Sequence, residues 1–332
     1  MFQRTPNWCA PLHNDRIGEE EMRRLRARYP EIFARCNDTP GRFIHAPDPR
    51  ATHEVTSEER EDFWEKLYGE PGLGIWQGNF RDILVDRQAN ALMSDFIARK
   101  IRQRVKDPAV AEKLIPKNQG FGTRRVPPET HYYEAYNPPN LELVDINETP
   151  IERITLNGIK TSDAEYEFDL IIYATGFDAI TGSFDRINIR GVDGRRLLRD
   201  EWQDEPQTYL GILVDGFPNM LMVMGPHAGL GNFPRAAEYS VGWVTGLVRF
   251  ARDRGLTRIE ASQAGVAQWT EHVKALAEGL LANEIDSWMT GINRNVEGKQ
   301  VCRIMRYSGG HPAFRERCDR VAAEGYRKLM LA

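Results

Sequence analysis

The sequence predicts an α/β fold built on a mostly parallel sheet. Two short apolar runs, at residues 170–173 (LIIY) and 220–223 (MLMV), are typical of strands that are buried on both faces. Each run ends in a glycine-containing turn, and the second turn leads into a helix predicted at about residues 234–252. A strand, a glycine-rich loop and a helix in this order are typical of an open α/β sheet, in which ligands bind at the carboxyl ends of the strands.

The stretch from about residue 17 to residue 117 has a helical pattern. Thr56 and Glu59 have the spacing of a capping box, which predicts the start of a helix. Apolar residues recur at helical spacing over 92–101. The Asp-Pro pair at 107–108 is expected to end that helix and to start a short one.

Beyond residue 120 the pattern changes to strands and then returns to helices. Strands are predicted at 141–146 and at 151–159, and the Asn157-Gly158 turn in the second predicts a hairpin. Near the C-terminus, Ser262 has the position of a helix cap. The apolar face of the helix that would follow consists of Trp269, Val273, Leu276 and Leu280.

The composition is that of a globular protein that can bury a sizeable core and form more than one unit, since 41% of its 332 residues are hydrophobic and 28% charged. Basic and acidic residues are interspersed, and the formal net charge of -4 gives no reason to expect nucleic acid. No apolar run approaches the roughly 20 residues of a membrane helix, and the start MFQRTPNW lacks the layout of a signal peptide. We therefore expect a cytoplasmic protein without a membrane partner.

The cysteines and histidines indicate neither a metal site nor a disulfide framework. The four cysteines are widely spaced, with no CxxC pair and no matching histidines; they are Cys9, Cys36, Cys302 and Cys318. We expect reduced thiols and small-molecule partners.

Two arginine-containing turns are candidate anion sites. Arg4 and Thr5 follow a strand-like start, in the position where the second strand of a Rossmann domain ends and an arginine can accommodate the 2′-phosphate of NADP. Arg124 and Arg125 form a second cationic pair. From spacing alone, two adjacent arginines are more often solvated surface charge.

Seven segments together resemble the type I Baeyer–Villiger monooxygenases, nearly from end to end of the chain. They are FQRTPNW, FGTRR, YYEAYNPPNLELVD, PIERIT, DLIIYATGFDAITG, TYLGILVDGFPNM and GPHAGLGN. The resemblance implies FAD and NADPH as cofactors and ketones and O2 as substrates. It also implies the insertion of one oxygen atom next to the ketone carbonyl, through a C4a-peroxyflavin, to give an ester or lactone.

The resemblance assigns roles to the arginines and to one tryptophan. Arg4, Thr5 and Arg124 would contact the 2′-phosphate of NADP. Arg125 would be the active-site arginine, whose permanent charge can stabilise the peroxide and the developing oxyanion. Trp288, in the segment SWMTG, resembles a tryptophan of a mobile loop that folds over NADP, while ordinary core packing explains it equally well.

The two glycine-containing turns also receive roles by resemblance. Ala174, Thr175 and Gly176 would form the turn that joins the nucleotide-binding domains. The loop from Gly225 to Asn232 would approach the flavin and the substrate. From the residues alone, the geometry of the turns is the better explanation of these glycines, because many α/β turns need glycine for their backbone conformation.

The same resemblance predicts a partial flavoprotein with two Rossmann-like dinucleotide-binding domains and a helical insertion. Residues 1–16 and 120–174 would be a remnant of the NADP-binding domain, 17–119 the helical insertion, and 175–332 the C-terminal part of the FAD-binding domain. The family's GxGxxG motifs and the acidic partner of the catalytic arginine are absent from these 332 residues. A separately encoded N-terminal half is therefore a candidate partner, and we expect the isolated chain to be of low stability because sheet edges and apolar faces would be exposed.

Two other functions remain open at this stage. The chain could belong to a flavin-dependent N- or S-oxygenase, which the turnover of a ketone to an ester would distinguish. It could also be a truncated remnant without catalytic activity, which would bind no flavin whatever chain is added.

Overall fold

The computed structural model describes residues 1–194, 197–229 and 231–332. The chain forms two compact units, the first from residues 1–15 and 48–176, the second from residues 16–47 and 177–332. The helical stretch predicted at 17–119 is therefore shared between them.

Helices dominate both units. They are α1 (Glu19–Ala27), α2 (Tyr29–Asp38), α3 (Ser57–Gly69), α4 (Gly74–Gln77), α5 (Arg87–Arg104), α6 (Pro108–Leu114), α7 (Gly182–Asp185), α8 (Leu198–Glu201), α9 (Phe233–Arg252), α10 (Gln263–Ala277) and α11 (His311–Ala323). The strands are short: β1 (Phe2–Gln3), β2 (Ala10–Pro11), β3 (Pro128–Glu129), β4 (Val144–Asp145), β5 (Ile151–Ile154), β6 (Gly158–Thr161), β7 (Glu165–Glu167), β8 (Ile259–Ala261) and β9 (Leu329–Leu331). Among the described residues, no helix is long and apolar enough to cross a membrane.

The predicted helix starts are confirmed at three positions. The Thr56 hydroxyl accepts a hydrogen bond from the Glu59 amide while the Glu59 carboxylate accepts one from the Thr56 amide, which is the reciprocal capping box that starts α3. Asp107 caps α6 and Ser262 caps α10. These starts depend on side chains within three residues of one another, so the local sequence is sufficient to predict them.

The first unit contains parallel and antiparallel strand pairs. β1 pairs with β4 and β2 with β3, both in parallel, although each pair is only two residues long. β5, β6 and β7 form an antiparallel sheet, which confirms the hairpin at the Asn157-Gly158 turn. The strand predicted at 141–146 is reduced to β4.

The core of the first unit lies on the inner face of α5. Met93, Phe96, Ile97 and Ile101 are each at most 1% exposed and pack with Trp64 and other apolar residues. Their spacing places them on one side of the helix, as predicted, whereas Leu92, which belongs to the same predicted apolar set, is 43% exposed. This cluster supports the loops that precede β2 and β3.

The two apolar runs that the sequence predicts as buried strands are not strands in this structure. Leu170, Ile172 and Tyr173 are 74%, 81% and 67% exposed, and no described strand pairs with residues 170–173. Residues 220–223 form no strand either; Met222 is buried and donates its amide proton to the Ile212 carbonyl oxygen at 2.8 Å, while Val223 is exposed. A continuous apolar run predicts a buried strand only where neighbouring strands supply hydrogen bonds on both sides.

The second unit packs α9, α10 and α11 around an apolar core. Leu247, Trp269 and Phe314 are each at most 2% exposed, and the Trp269 and Tyr307 rings stack with centroids 5.3 Å apart. The predicted helix at 234–252 is confirmed as α9. β8 and β9 form an antiparallel pair at the edge of this core.

Candidate functional site

The first unit brings the two arginine-containing turns together. The Asn7 side-chain amide donates to the Arg125 carbonyl oxygen at 3.0 Å, and the Gln119 amide donates to the Pro6 carbonyl oxygen at 3.2 Å. The Trp8 indole N–H donates to the Gln119 carbonyl oxygen at 2.9 Å. Residues 4–8 and 119–125 are therefore held side by side, although they are more than 110 positions apart in the sequence.

We call Arg4, Thr5, Arg124 and Arg125 the arginine edge. Arg4 and Arg125 are exposed, while Thr5 and Arg124 are half-buried. In the part of the chain that the structure describes, neither Arg4 nor Arg125 forms an ion pair. Exposed guanidinium groups without a carboxylate partner can bind a phosphate from solution, because they have no internal counterion to give up.

Two glycines, one just before the FGTRR segment and one within it, are required by packing. A Cβ on Gly120 would lie 1.7 Å from the Asn90 side-chain oxygen, and Gly122 has a φ of +76° with the Leu84 and Trp76 side chains about 3 Å from a Cβ. Phe121 between them is fully buried and accepts a hydrogen bond from the Asn90 amide at 2.9 Å. The loop is thereby anchored on the core, so Arg124 and Arg125 project from a rigid support.

The ATG turn also lies in the first unit, but it is exposed and irregular. Ala174, Thr175 and Gly176 are all exposed. Gly176 has a φ of +85°, and nothing lies within 4 Å of the position where a Cβ would be. Glycine is needed here for the left-handed backbone conformation and not for close packing within this unit.

The glycine-rich loop at 225–232 belongs to the second unit, and Leu230 within it lies outside the described residues. Gly225 donates to the Gly211 carbonyl oxygen at 3.0 Å, and a Cβ on Gly225 would lie 2.8 Å from the same oxygen. The Asn232 amide donates to the Gly41 carbonyl oxygen at 2.8 Å, immediately before α9. Gly225 therefore serves internal packing, and Asn232 sets the start of a helix.

Two basic groups that the sequence analysis assigned no role are the buried His227, within this loop, and the partly buried Arg306. The His227 imidazole Nε2 lies 2.8 Å from the Ile304 carbonyl oxygen, and burial lowers the pKa of His227. Burial also lowers the pKa of Arg306, whose guanidinium lies 3.9 Å from the Met289 sulfur. Both groups follow from long-range packing, which local patterns do not record.

Trp288 lies in a short 3₁₀ helix, Trp288–Thr290, of the second unit. Trp288 is 46% exposed and therefore does not pack in the core of this unit, while its contact with NADP stays a prediction. The Ser287 hydroxyl accepts a hydrogen bond from the Met289 amide at 3.2 Å and fixes the start of this turn. An exposed indole on a fixed turn can stack on a flat ligand.

The structure thus brings together some of the predicted site residues. The two turns of the arginine edge are neighbours in the first unit, which also contains the ATG turn. Gly225, Asn232 and Trp288 lie in the second unit. Sequence reasoning missed Lys299, whose side-chain partners are 114 to 121 positions away and leave no local pattern.

No family model matches the chain, but several characterised enzymes do. The 2-oxo-Delta(3)-4,5,5-trimethylcyclopentenylacetyl-CoA monooxygenase of Pseudomonas putida is 47% identical over 334 residues, which is 100% of this chain and 61% of that protein. Cyclopentanone 1,2-monooxygenase of a Comamonas strain is 36% identical over 100% of the chain and 60% of its own length. The phenazine N-monooxygenase of Lysobacter antibioticus is 34% identical with similar coverage.

Solved structures agree with these relatives. OTEMO in complex with FAD and NADP matches 100% of the chain and 61% of its own length, with a TM-score of 0.94 at 46% identity. The closed crystal structure of cyclohexanone monooxygenase matches 100% of the chain and 62% of its own, with a TM-score of 0.94 at 34% identity. The predicted partial two-domain α/β flavoprotein fold is thereby confirmed. The chain spans about three fifths of the length of these proteins, and it is homologous to the C-terminal portion of the Baeyer–Villiger monooxygenases.

Proposed function

We propose that this chain is part of an FAD- and NADPH-dependent monooxygenase that inserts one oxygen atom of O2 next to the carbonyl of a cyclic ketone to give a lactone. The observation that carries this proposal is the arginine edge, in which hydrogen bonds join two distant turns and the exposed Arg4 and Arg125 form no ion pair with any residue that the structure describes. Two relatives are named for substrates with a five-membered ring, so a cyclopentanone is the first ketone to test.

The residues of the arginine edge are assigned two roles, NADP binding and catalysis. Arg4, Thr5 and Arg124 would hold the 2′-phosphate of NADP, which two arginines and a hydroxyl can surround with hydrogen-bond donors. Arg125 would stabilise negative charge on the reacting oxygen atoms, because a guanidinium keeps its proton throughout. The cofactors supply the reducing equivalents and the activation of O2.

The fit to NADP is better than the fit to FAD within these residues. The exposed guanidinium group of Arg4 suits a phosphate, and the exposed Trp288 suits a flat ring. The family's FAD motif is not among the 332 residues, and Gly225 and Asn232 serve the packing of their own unit. We therefore propose that residues 1–16 and 120–174 belong to an NADP-binding domain, 17–119 to a helical insertion, and 175–332 to the C-terminal part of an FAD-binding domain.

We also propose that a further polypeptide segment, such as a separately encoded N-terminal half, completes the sheet. Leu170, Ile172 and Tyr173 are largely exposed, and an apolar run of this kind is stable in a sheet only when strands and helices cover it. We further propose a cytoplasmic location, because the four cysteines form no disulfide in this structure and a reducing compartment would keep them as thiols.

The decisive experiment combines this chain with the N-terminal part of a relative. The N-terminal part of the Pseudomonas putida relative that this chain does not match would be co-expressed with it, or fused before residue 1. A flavin spectrum in the visible range, oxidation of NADPH that depends on cyclopentanone, and a lactone product are expected only in the completed protein. Flavin binding without ketone turnover would contradict the proposed reaction.

Substitutions in the completed protein separate the two roles of the arginine edge. Arg125→Ala should abolish lactone formation, whereas Arg4→Ala should raise the KM for NADPH with a smaller effect on kcat. Arg153→Ala is the matched control, since Arg153 is an exposed arginine of the same unit on β5. Equal effects of all three substitutions would reject the assignment.

Oxidation of a nitrogen heterocycle is the second candidate function. It is favoured by the relative named as a phenazine N-monooxygenase, which matches the whole chain at 34% identity. A phenazine that drives NADPH oxidation while cyclic ketones do not would select this function. Absence of flavin binding with every N-terminal segment tested would identify a non-catalytic remnant instead.

A further inference from the structure

A buried lysine in the second unit forms three hydrogen bonds with residues far away in the sequence. The Lys299 ammonium donates to Asp178 at 2.8 Å, to the Thr181 hydroxyl at 3.0 Å and to Asp185 at 2.6 Å. Lys299 is 8% exposed, and its three N–H donors are matched by three acceptors. We call these four residues the lysine clasp.

The clasp accounts for the second half of the DLIIYATGFDAITG segment. Asp178, Thr181 and Asp185 supply its acceptors from the end of that segment and from α7. Gly182 is needed because a Cβ there would lie 2.5 Å from the Asp178 carboxylate. The motif therefore builds a socket for a lysine in addition to the ATG turn.

On the other side, the clasp holds the irregular segment 291–301 that follows Trp288. The Asn293 amide donates to the Lys299 carbonyl oxygen at 2.7 Å, which closes residues 293–299 into a loop. The Asn293 side chain also reaches Asp178, at 3.4 Å. Both ends of the loop are thus attached to Asp178, two positions after Gly176.

The attachment extends to the turn that contains Trp288. The Arg303 amide donates to the Thr290 carbonyl oxygen at 2.9 Å, so the segment after the loop is bonded to the 3₁₀ helix before it. Residues 288–303 therefore form one hydrogen-bonded unit, whose buried anchor is Lys299. Trp288 is its exposed aromatic side chain.

We propose that Lys299 is a positioning residue that fixes this segment so that Trp288 can contact a bound nicotinamide cofactor. The cofactor role rests on the proposed function; the anchoring role does not. A buried ammonium that loses a carboxylate partner is costly, so the clasp resists displacement of the segment.

The first test measures the anchor without any cofactor. Amide hydrogen exchange of residues 286–303 is compared in the 332-residue chain and in its Lys299→Met variant, which keeps most of the side-chain length and removes the charge. We expect exchange at least about tenfold faster in the variant, because a segment held by few contacts opens locally when its anchor is lost. Lys274→Met is the control, since Lys274 forms an exposed ion pair with Glu205 in the same unit.

Asp185→Asn is a milder variant in case Lys299→Met does not fold. Asp185 is the more exposed of the two carboxylates, and its loss leaves the contact of Lys299 with Asp178 intact. Exchange should be accelerated, but by less than in Lys299→Met. Unchanged exchange in Asp185→Asn and in folded Lys299→Met would overturn the anchor.

The second test measures the cofactor role in the completed enzyme. Lys299→Met should raise the KM for NADPH by about tenfold while kcat changes by less than about threefold, because binding is affected more than chemistry. Faster exchange with an unchanged KM would overturn the positioning role. If neither the unsubstituted enzyme nor the variant oxidises NADPH, the proposed function is wrong and the cofactor role with it, while the exchange comparison still decides the anchor.

Discussion

Arg104 is the electrostatic centre of the first unit, and its replacement should be far more costly than that of Arg102 two positions earlier on α5. The Arg104 guanidinium donates to Glu129 at 2.7 Å and, through two nitrogens, to Glu134 at 2.6 and 2.7 Å. It also donates to the Tyr68 hydroxyl and lies over the Tyr133 ring, 5.0 Å from its centroid. The Glu129 side chain is only 6% exposed.

Arg104→Met keeps the hydrocarbon part of the side chain and removes the charge. The Glu129 carboxylate is then buried without its counterion, and loss of one partner of such a pair costs about 3–5 kcal/mol. Arg102→Met breaks an ion pair with Glu112 in which both side chains are 46% exposed, and an exposed pair is worth at most about 1 kcal/mol. Urea unfolding, with amide exchange of α5 to report on the first unit, measures both changes.

The pH dependence gives this prediction a sign. Hydrogen bonding to Arg104 holds the pKa of Glu134 below its ordinary value. That stabilisation is present above the unfolded pKa of Glu134 and is lost as the pH falls through the lowered folded value, so the difference between Arg104→Met and the unsubstituted chain should shrink in acid. The double substitution Arg104→Met/Glu129→Gln should recover part of the loss. If Arg104→Met costs no more than Arg102→Met at neutral pH, the reasoning is wrong.

Three further predictions concern the second unit. Burial lowers the pKa of His311 from 6.5 to about 4. The free energy of unfolding should therefore fall by at most about 3 kcal/mol as the pH is lowered through this range, because the unfolded chain binds a proton that the folded chain does not. In His311→Leu the urea midpoint should depend less on pH. Gly211→Ala should lower the thermal midpoint, because φ is +66° and a Cβ would lie 2.4 Å from the Ala228 nitrogen. Gly242→Ala should instead raise the free energy of unfolding by up to about 1 kcal/mol, because Gly242 lies in the middle of α9 and nothing lies within 4 Å of the position of a Cβ. Trp288→Ala should raise the KM for NADPH in the completed enzyme, yet shift the free energy of unfolding by only about 1 kcal/mol or less.

The arginine edge shows how far the sequence can predict a site. Local signals were sufficient for the caps at Thr56, Asp107 and Ser262, since the interacting groups lie within one turn of helix. The turns at 4–5 and 124–125 could be singled out as cationic, but their proximity depends on hydrogen bonds across more than 110 positions. No periodicity or spacing records such a pairing, and only resemblance to a family connected the two turns beforehand.

The lysine clasp shows the opposite limit. Asp178 and Gly182 lie in a segment that resembles the monooxygenase family. The structure shows that they form a socket for Lys299, which the sequence did not predict. A lone lysine in a polar stretch is ordinarily solvated, and its burial follows only from acceptors placed by a distant segment. Sequence reasoning fails at such a residue because its chemistry depends wholly on tertiary structure.

The strand predicted at residues 170–173 is wrong for a different reason, because the apolar pattern indicates burial and the structure leaves the same residues exposed. Burying an apolar side chain of this size is worth about 1.5–3 kcal/mol. Leu170, Ile172 and Tyr173 are each at least 67% exposed and therefore contribute little of this stabilisation in the present structure. Apolar surface of this extent favours association with another apolar surface, and the run has the composition of a strand with neighbours on both sides. The same three residues therefore account both for the incorrect strand prediction and for the proposal that a further polypeptide segment covers them.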